Sequence, residues 1–197
     1  MREMIKMVVV LTVLSTFSGG ILAAIKTTTK ERIEYQQLTF VKGPAIKKIL
    51  DGAENDPIVD RFKILDGDIE RSFFVGIFNG KANSIAFESF GKGFGGDVGV
   101  MIGINIKNDN LLGSEVTTHS ETPGLGSKAK TDPDFSGQFI DKSSISPINL
   151  KQDGGQIDAI AGATITSRAV CMAATDAGSI YKRLKPKIIE KLKDYSK

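Results

Sequence analysis

The chain has 197 residues, 41% of them apolar and 25% charged, which is enough to bury one core of domain size and too apolar for a disordered tail. A single Cys excludes an intrachain disulfide framework and any four-cysteine zinc or iron–sulfur site built from this chain alone, and a single His excludes a histidine-rich metal cluster. The net charge is +3, but residues 26–181 hold slightly more acidic than basic side chains and the positive surplus lies in 182–197, which argues against nucleic acid as a partner of the body.

Residues 7–25 carry no charge, and as a helix they span roughly 28 Å, the thickness of a bilayer's hydrocarbon core. Arg2 and Lys6 precede this run, so the spacing predicts a single anchor over residues 1–26 with its N-terminus in the cytoplasm and residues 27–197 outside. The alternative is a cleaved signal peptide, but Leu22-Ala23-Ala24 is a poor cleavage site and the run is longer than a signal core.

Residues 27–50 read as a polar stretch leading into a short helix, with Pro44 near its first turn, Ile46, Ile49 and Leu50 as its apolar face, and Asp51-Gly52 as its stop. The pattern then turns to strands. Ser72–Phe78 and Ser84–Phe90 flank Asn79-Gly80, a strong hairpin signal, and Val98–Ile106 is apolar enough to be central. Asn108-Asp109-Asn110 turns the chain into Leu111–Thr118, which predicts a meander of about four antiparallel strands. Residues 119–150 show no periodicity, and a loop of that length is usually functional; Phe135 and Phe139 are expected to pin it to the core. From about Thr166 to Leu184 apolar residues recur at helical spacing, and Pro186 is expected to end or kink that helix. The fold class is α+β, an antiparallel sheet packed with helices and preceded by one transmembrane helix.

Three segments could carry chemistry. Gly91–Gly96 lies between strands, so its glycines read as a tight connection needing positive φ rather than a nucleotide loop, which needs a following helix. His119-Ser120-Glu121-Thr122-Pro123-Gly124-Leu125-Gly126 packs a titratable group, hydroxyls, a rigid Pro and permissive glycines into the start of the long loop. It can hold backbone N–H groups against a flat ligand, or be an ordinary turn. Asp158-Ala159-Ile160-Ala161-Gly162-Ala163-Thr164 stands before the long helix. A hydroxyl there is usually an N-cap, but a helix start also favours a phosphate, and Gly162 and Ala163 leave room beside Thr164. Cys171 reads as a small buried hydrophobe, and spacing supports no catalytic triad, no paired carboxylates and no metal site.

The segment D-A-I-A-G-A-T resembles the flavinylation motif Asp-x-x-Ser/Thr-Gly-Ala-Thr, and H-S-E-T-P-G-L-G resembles the loop preceding it in the G subunits (RnfG) of the Rnf ion-translocating electron-transport complex. The likeness extends to the anchor, to GFGGDVGVMIGIN, to FSGQF and to the GAT-x-T-S helix start. The same FMN-binding domain occurs in the related NqrC chains of the sodium-pumping NADH:quinone reductase, which are typically longer. The resemblance implies covalent FMN in phosphoester linkage to Thr164, placed there by a flavin transferase. His119, Glu121, Thr122, Pro123, Gly124, Leu125, Gly126, Gly162 and Ala163 would contact the cofactor. The chain departs from the motif at Ala161, where Ser or Thr is usual. The implied function is a membrane-anchored flavoprotein that relays electrons in a complex coupling ferredoxin:NAD electron transfer to Na+ or H+ translocation. Its partners would be membrane lipid and the other membrane and redox subunits, and it would be part of an oxidoreductase translocase without turnover on its own. The alternatives are an NqrC-type component and a non-redox, membrane-tethered binding domain.

Overall fold

The computed structural model describes residues 2–195 and divides the chain into two compact units, the first ending at Thr39 and the second beginning at Phe40. The first unit is helix α1 (Arg2–Gln36). Residues 2–28 are exposed throughout, and α1 is the one helix among the described residues long and apolar enough to cross a membrane. The polar stretch expected from residue 27 onward is helical as far as Gln36. The hydroxyls of Thr27, Thr28 and Thr29 donate to the carbonyls of Ala23, Ala24 and Ile25 at 2.8, 2.9 and 2.6 Å, which keeps these polar side chains inside the helix's own bonding. A π-helical segment, Gln37–Lys42, follows.

The second unit is built on a five-stranded antiparallel meander in sequence order: β1 (Arg61–Asp66), β2 (Ile69–Phe78), β3 (Lys81–Lys92), β4 (Asp97–Asn105) and β5 (Asn110–Thr118). The Asn79-Gly80 hairpin forms as expected, with both residues at positive φ (54° and 68°), the signature of the two-residue turn that matches strand twist. β1 is the strand that the sequence pattern does not announce. Only Phe62 and Ile64 of its six residues are buried, because an edge strand covered on one face needs few apolar positions. β4 is buried from Val98 to Ile104 and is flanked by β3 and β5.

The two faces of the sheet are covered differently. Helix α2 (Gly43–Ile49) covers one, placing Ile49 against Gly103 and the following Leu50 against Gly76. Across the other face, the helix Thr164–Leu192 (α5) lies over β3 and β4 and buries Val170, Ala173, Ala174, Ala177, Ile180 and Tyr181 against Phe73, Phe87, Val100 and Ile102. α5 begins at Thr164, with Ala163 as N-cap, two residues before the start that the pattern suggests, and it continues through Pro186 rather than ending there. A Pro inside a helix costs about 3 kcal/mol, and burial of Ile188 and Leu192 beyond it offsets that loss. The long connection before α5 contains two short helices, α3 (Lys128–Thr131) and α4 (Pro133–Gly137), and Phe135 and Phe139 are buried as expected.

Charged clamps fix α5 to the sheet. Asp66, at the end of β1, accepts from Arg183 Nε and Nη2 at 2.9 and 2.7 Å and from Arg71 Nε at 2.9 Å. Asp109, in the β4–β5 turn, accepts from Tyr181 Oη at 2.6 Å and from Lys185 Nζ at 2.7 Å. The hydrogen bonds from Arg183, then from Arg71, hold the Asp66 carboxyl at about 2. A carboxyl lowered by folding contributes stability that is complete above its unfolded value near 4 and is lost as pH falls from about 4 towards 2. Urea unfolding against pH should therefore show wild-type stability falling through that window. Arg183→Met should lose less there and be about 1 kcal/mol less stable at pH 7.

Candidate functional site

The first turn of α5 carries three hydroxyl side chains in three different states. Ser167 is fully buried; its Oγ donates to the Ala163 carbonyl and accepts from the Ile160 N–H, both at 3.0 Å. Thr166 is 2% exposed and donates its hydroxyl to Oε2 of Glu121. Thr164 is half-buried, and its hydroxyl makes no hydrogen bond among the described residues. The sequence pattern suggests a hydroxyl cap at this helix start. In the structure the N-cap is Ala163, which has no side-chain oxygen to offer, so the first turn of α5 has no side-chain cap. That arrangement suits a phosphate: an uncapped helix start, the positive end of a long helix dipole and an unbonded hydroxyl at one place.

The turn leading into α5 is fixed at both ends. Gly162 adopts φ +77°, and the Ala163 N–H bonds the Ile160 carbonyl at 2.9 Å. Upstream, the Asp158 N–H donates to Gln138 Oε1 at 2.7 Å and its carbonyl accepts from Gln138 Nε2 at 3.4 Å, so the FSGQF segment grips the backbone where the motif begins. The Asp158 side chain is exposed and pairs with Lys151 at 2.6 Å. Ala161 is exposed, and the fold requires no hydroxyl there.

The 119–126 segment lies against this helix start. Glu121 is buried; its Oε1 accepts from the Gly95 N–H at 2.8 Å, and its own N–H donates to Nδ1 of half-buried His119 at 3.2 Å. Thr122, Pro123, Gly124 and Leu125 form an exposed turn, closed by the Leu125 and Ser127 N–H groups on the Thr122 carbonyl, each at 3.2 Å. Leu125 Cδ2 stands 3.3 Å from where a Cβ on Gly162 would sit, and Gly126 is wedged between Glu121 and Thr166. The structure thus brings Glu121, Leu125 and Gly126 to Gly162, Ala163 and the first turn of α5. His119 joins the group through Glu121, and Thr122, Pro123 and Gly124 present a free rim.

Three contributors are not evident from the sequence pattern. Gly93 and Gly95 belong to this site because they pack against the Glu121 carboxylate and the Ser120 carbonyl, whereas positive φ within the Gly91–Gly96 cluster occurs at Gly96 alone. Thr166 is the third, and its signal is present in the run of hydroxyls after GAT. Cys171 is buried, and burial pushes its thiol up to about 12, so it is no nucleophile at neutral pH. A hollow of about 150 Å³ between α2, β5 and α4 is lined by none of the candidate cofactor-contact residues. Among the described residues there is no cluster of three metal-ligating side chains.

The fold is an α+β domain whose long helix starts without a side-chain cap beside an unbonded threonine, and residues 93–179 match the family model of the FMN-binding domain. The chain is 33% identical over 178 residues to the G subunit of the ion-translocating oxidoreductase complex of Methanosarcina acetivorans, covering 89% of this chain and 93% of that one. It is 29% identical over 174 residues to the G subunit from Vibrio vulnificus, covering 83% and 82%. The chain belongs to this family, the G subunits of the ion-translocating oxidoreductase complexes. Its fold is shared with the C subunit of the Na+-translocating NADH-quinone reductase of Parabacteroides distasonis, with a TM-score of 0.53 at 24% identity over 63% of this chain and 76% of that one. NqrC of Shewanella oneidensis is similar, with a TM-score of 0.50 at 22% identity over 68% and 72%.

The packing at Gly126 yields a direct test. A Cβ there would stand 2.7 Å from Glu121 Cβ and 2.8 Å from Thr166 Oγ1, closer than side chains pack. Gly126→Ala should lower the unfolding free energy measured in urea by about 1–3 kcal/mol.

Proposed function

We propose that this chain is a membrane-anchored flavoprotein of an Rnf-type complex, carrying FMN on Thr164 and relaying electrons between neighbouring redox subunits. One observation carries the reading: of the three hydroxyls on the first turn of α5, only that of Thr164 is both accessible and unbonded. It is also the residue the flavinylation motif singles out. In attachment, the Thr164 hydroxyl oxygen bonds to the FMN-side phosphorus of FAD held by a flavin transferase. The phosphoanhydride bond breaks, AMP leaves, and the hydroxyl proton passes to a base of the transferase. The phosphodiester would keep a negative charge, which the uncapped start of α5 would favour. When bound, the flavin supplies one- and two-electron chemistry. Leu125 and the exposed Thr122–Gly124 rim would contact the bound flavin. The complex as a whole would couple ferredoxin:NAD electron transfer to Na+ or H+ transport. The NqrC reading rests on shared fold alone, whereas the relatives that match most of the chain by sequence are G subunits.

Co-expression with a flavin transferase tests attachment. On denaturing gels under ultraviolet light the wild-type band should fluoresce, Thr164→Ser should retain a fraction of the signal, and Thr164→Val should lose it while its circular dichroism stays native. A colourless wild-type chain would favour a non-redox binding domain instead.

The anchor reading places residues 7–25 across the membrane, with residues 27–197 outside the cytoplasm. A periplasm-active reporter fused at the C-terminus should be active, and one active only in the cytoplasm should be silent. The opposite pattern, or a mature protein beginning near Ile25, would contradict it.

A further inference from the structure

The first turn of α5 is hydrogen-bonded to a buried acid. Glu121 lies beneath the site with its carboxylate held by an amide and a hydroxyl rather than by a cation, Oε1 by the Gly95 N–H and Oε2 by Thr166. A buried carboxyl in that setting is costly, and an apolar residue of similar volume would fill the space at less cost. Three separate segments close on it: the β3–β4 turn through Gly93 and Gly95, its own loop through Gly126, and α5 through Thr166.

We propose that Glu121 is a positioning residue that selects Thr164 as the flavin acceptor. This rests on the attachment reading above. Successive helical residues are rotated by about 100°, so Thr166 and Thr164 point about 160° apart around the axis. Drawing the Thr166 hydroxyl inward to Glu121 therefore turns Thr164 outward. The same contact occupies the Thr166 hydroxyl, so that of the three hydroxyls on the first turn only Thr164 is left unbonded, Ser167 being buried on Ala163 and Ile160. It also ties the Thr122–Leu125 turn beside the acceptor, because Glu121 immediately precedes that turn.

The test uses the full chain in detergent with purified flavin transferase and FAD, following the initial rate of flavin attachment, the modified residue by peptide mass, and stability in urea. Thr166→Val keeps the shape and removes the hydroxyl, and it should slow attachment at Thr164 by about tenfold or more while the chain stays folded. Thr166→Ser keeps the donor. Glu121→Gln can accept from Gly95 through its oxygen and donate to Thr166 through its amide. Both should attach flavin within about threefold of wild type, a rescue that follows the presence of a hydrogen bond at residue 166 rather than stability. If Thr166→Val does not fold, Thr166→Ala replaces it, since the smaller side chain admits water to the carboxylate. Attachment at the wild-type rate in the folded Val or Ala variant would overturn the proposal, as would Ser or Gln variants as slow as Val. A wild-type chain that accepts no flavin overturns the attachment reading itself, and that result is distinct from both.

Discussion

At Gly91 the backbone of β3 passes so close to α5 that a Cβ would land on the Ala169 carbonyl. This contact sets the distance between the long helix and the sheet, and small residues on the helix (Ala169, Ala173, Ala174, Ala177) let the approach continue along its length. Everything at the site depends on it. With α5 held down, its first turn meets the loop after β5, and Thr166 reaches a carboxylate that a helix held further out would miss. The clamps at Asp66 and Asp109 act on the other half of the helix, fixing it against sliding along the sheet.

The site is thus a consequence of packing combined with an omission. Packing buries Ser167 and Thr166 and gives each a partner. The omission is at the N-cap, where Ala163 provides no oxygen and leaves the first N–H groups of a 29-residue helix uncapped. An uncapped helix start weakens an isolated domain by about 0.5–2 kcal/mol relative to one with a good cap. An anion at this point would recover that loss, which gives a physical reason for a phosphate beside Thr164.

Much of this is legible in the sequence because it rests on local rules. Asn79-Gly80 dictates a hairpin, the continuous apolar run of 98–104 dictates a strand buried on both faces, and Phe135 and Phe139 mark where the long connection returns to the core. What stays hidden depends on contacts distant in sequence. β1 has only two buried residues, so its pairing with β2 is what makes it a strand. The helix passes Pro186 because Ile188 and Leu192 are buried beyond it. The partnership of Thr166 with Glu121 spans 45 positions and cannot be read from either segment. Gly93 and Gly95 look like a turn because nothing nearby in the chain shows that a carboxylate packs against them.

The central claim is that folding leaves one hydroxyl of three available at the start of α5. Trypsin releases residues 152–168 as one peptide holding Thr164, Thr166 and Ser167, so fragmentation of that peptide by electron transfer, from protein matured with a flavin transferase, reads the outcome residue by residue. The account predicts the FMN mass on Thr164 alone. FMN on Thr166 or Ser167, or a peptide left wholly unmodified, would contradict it.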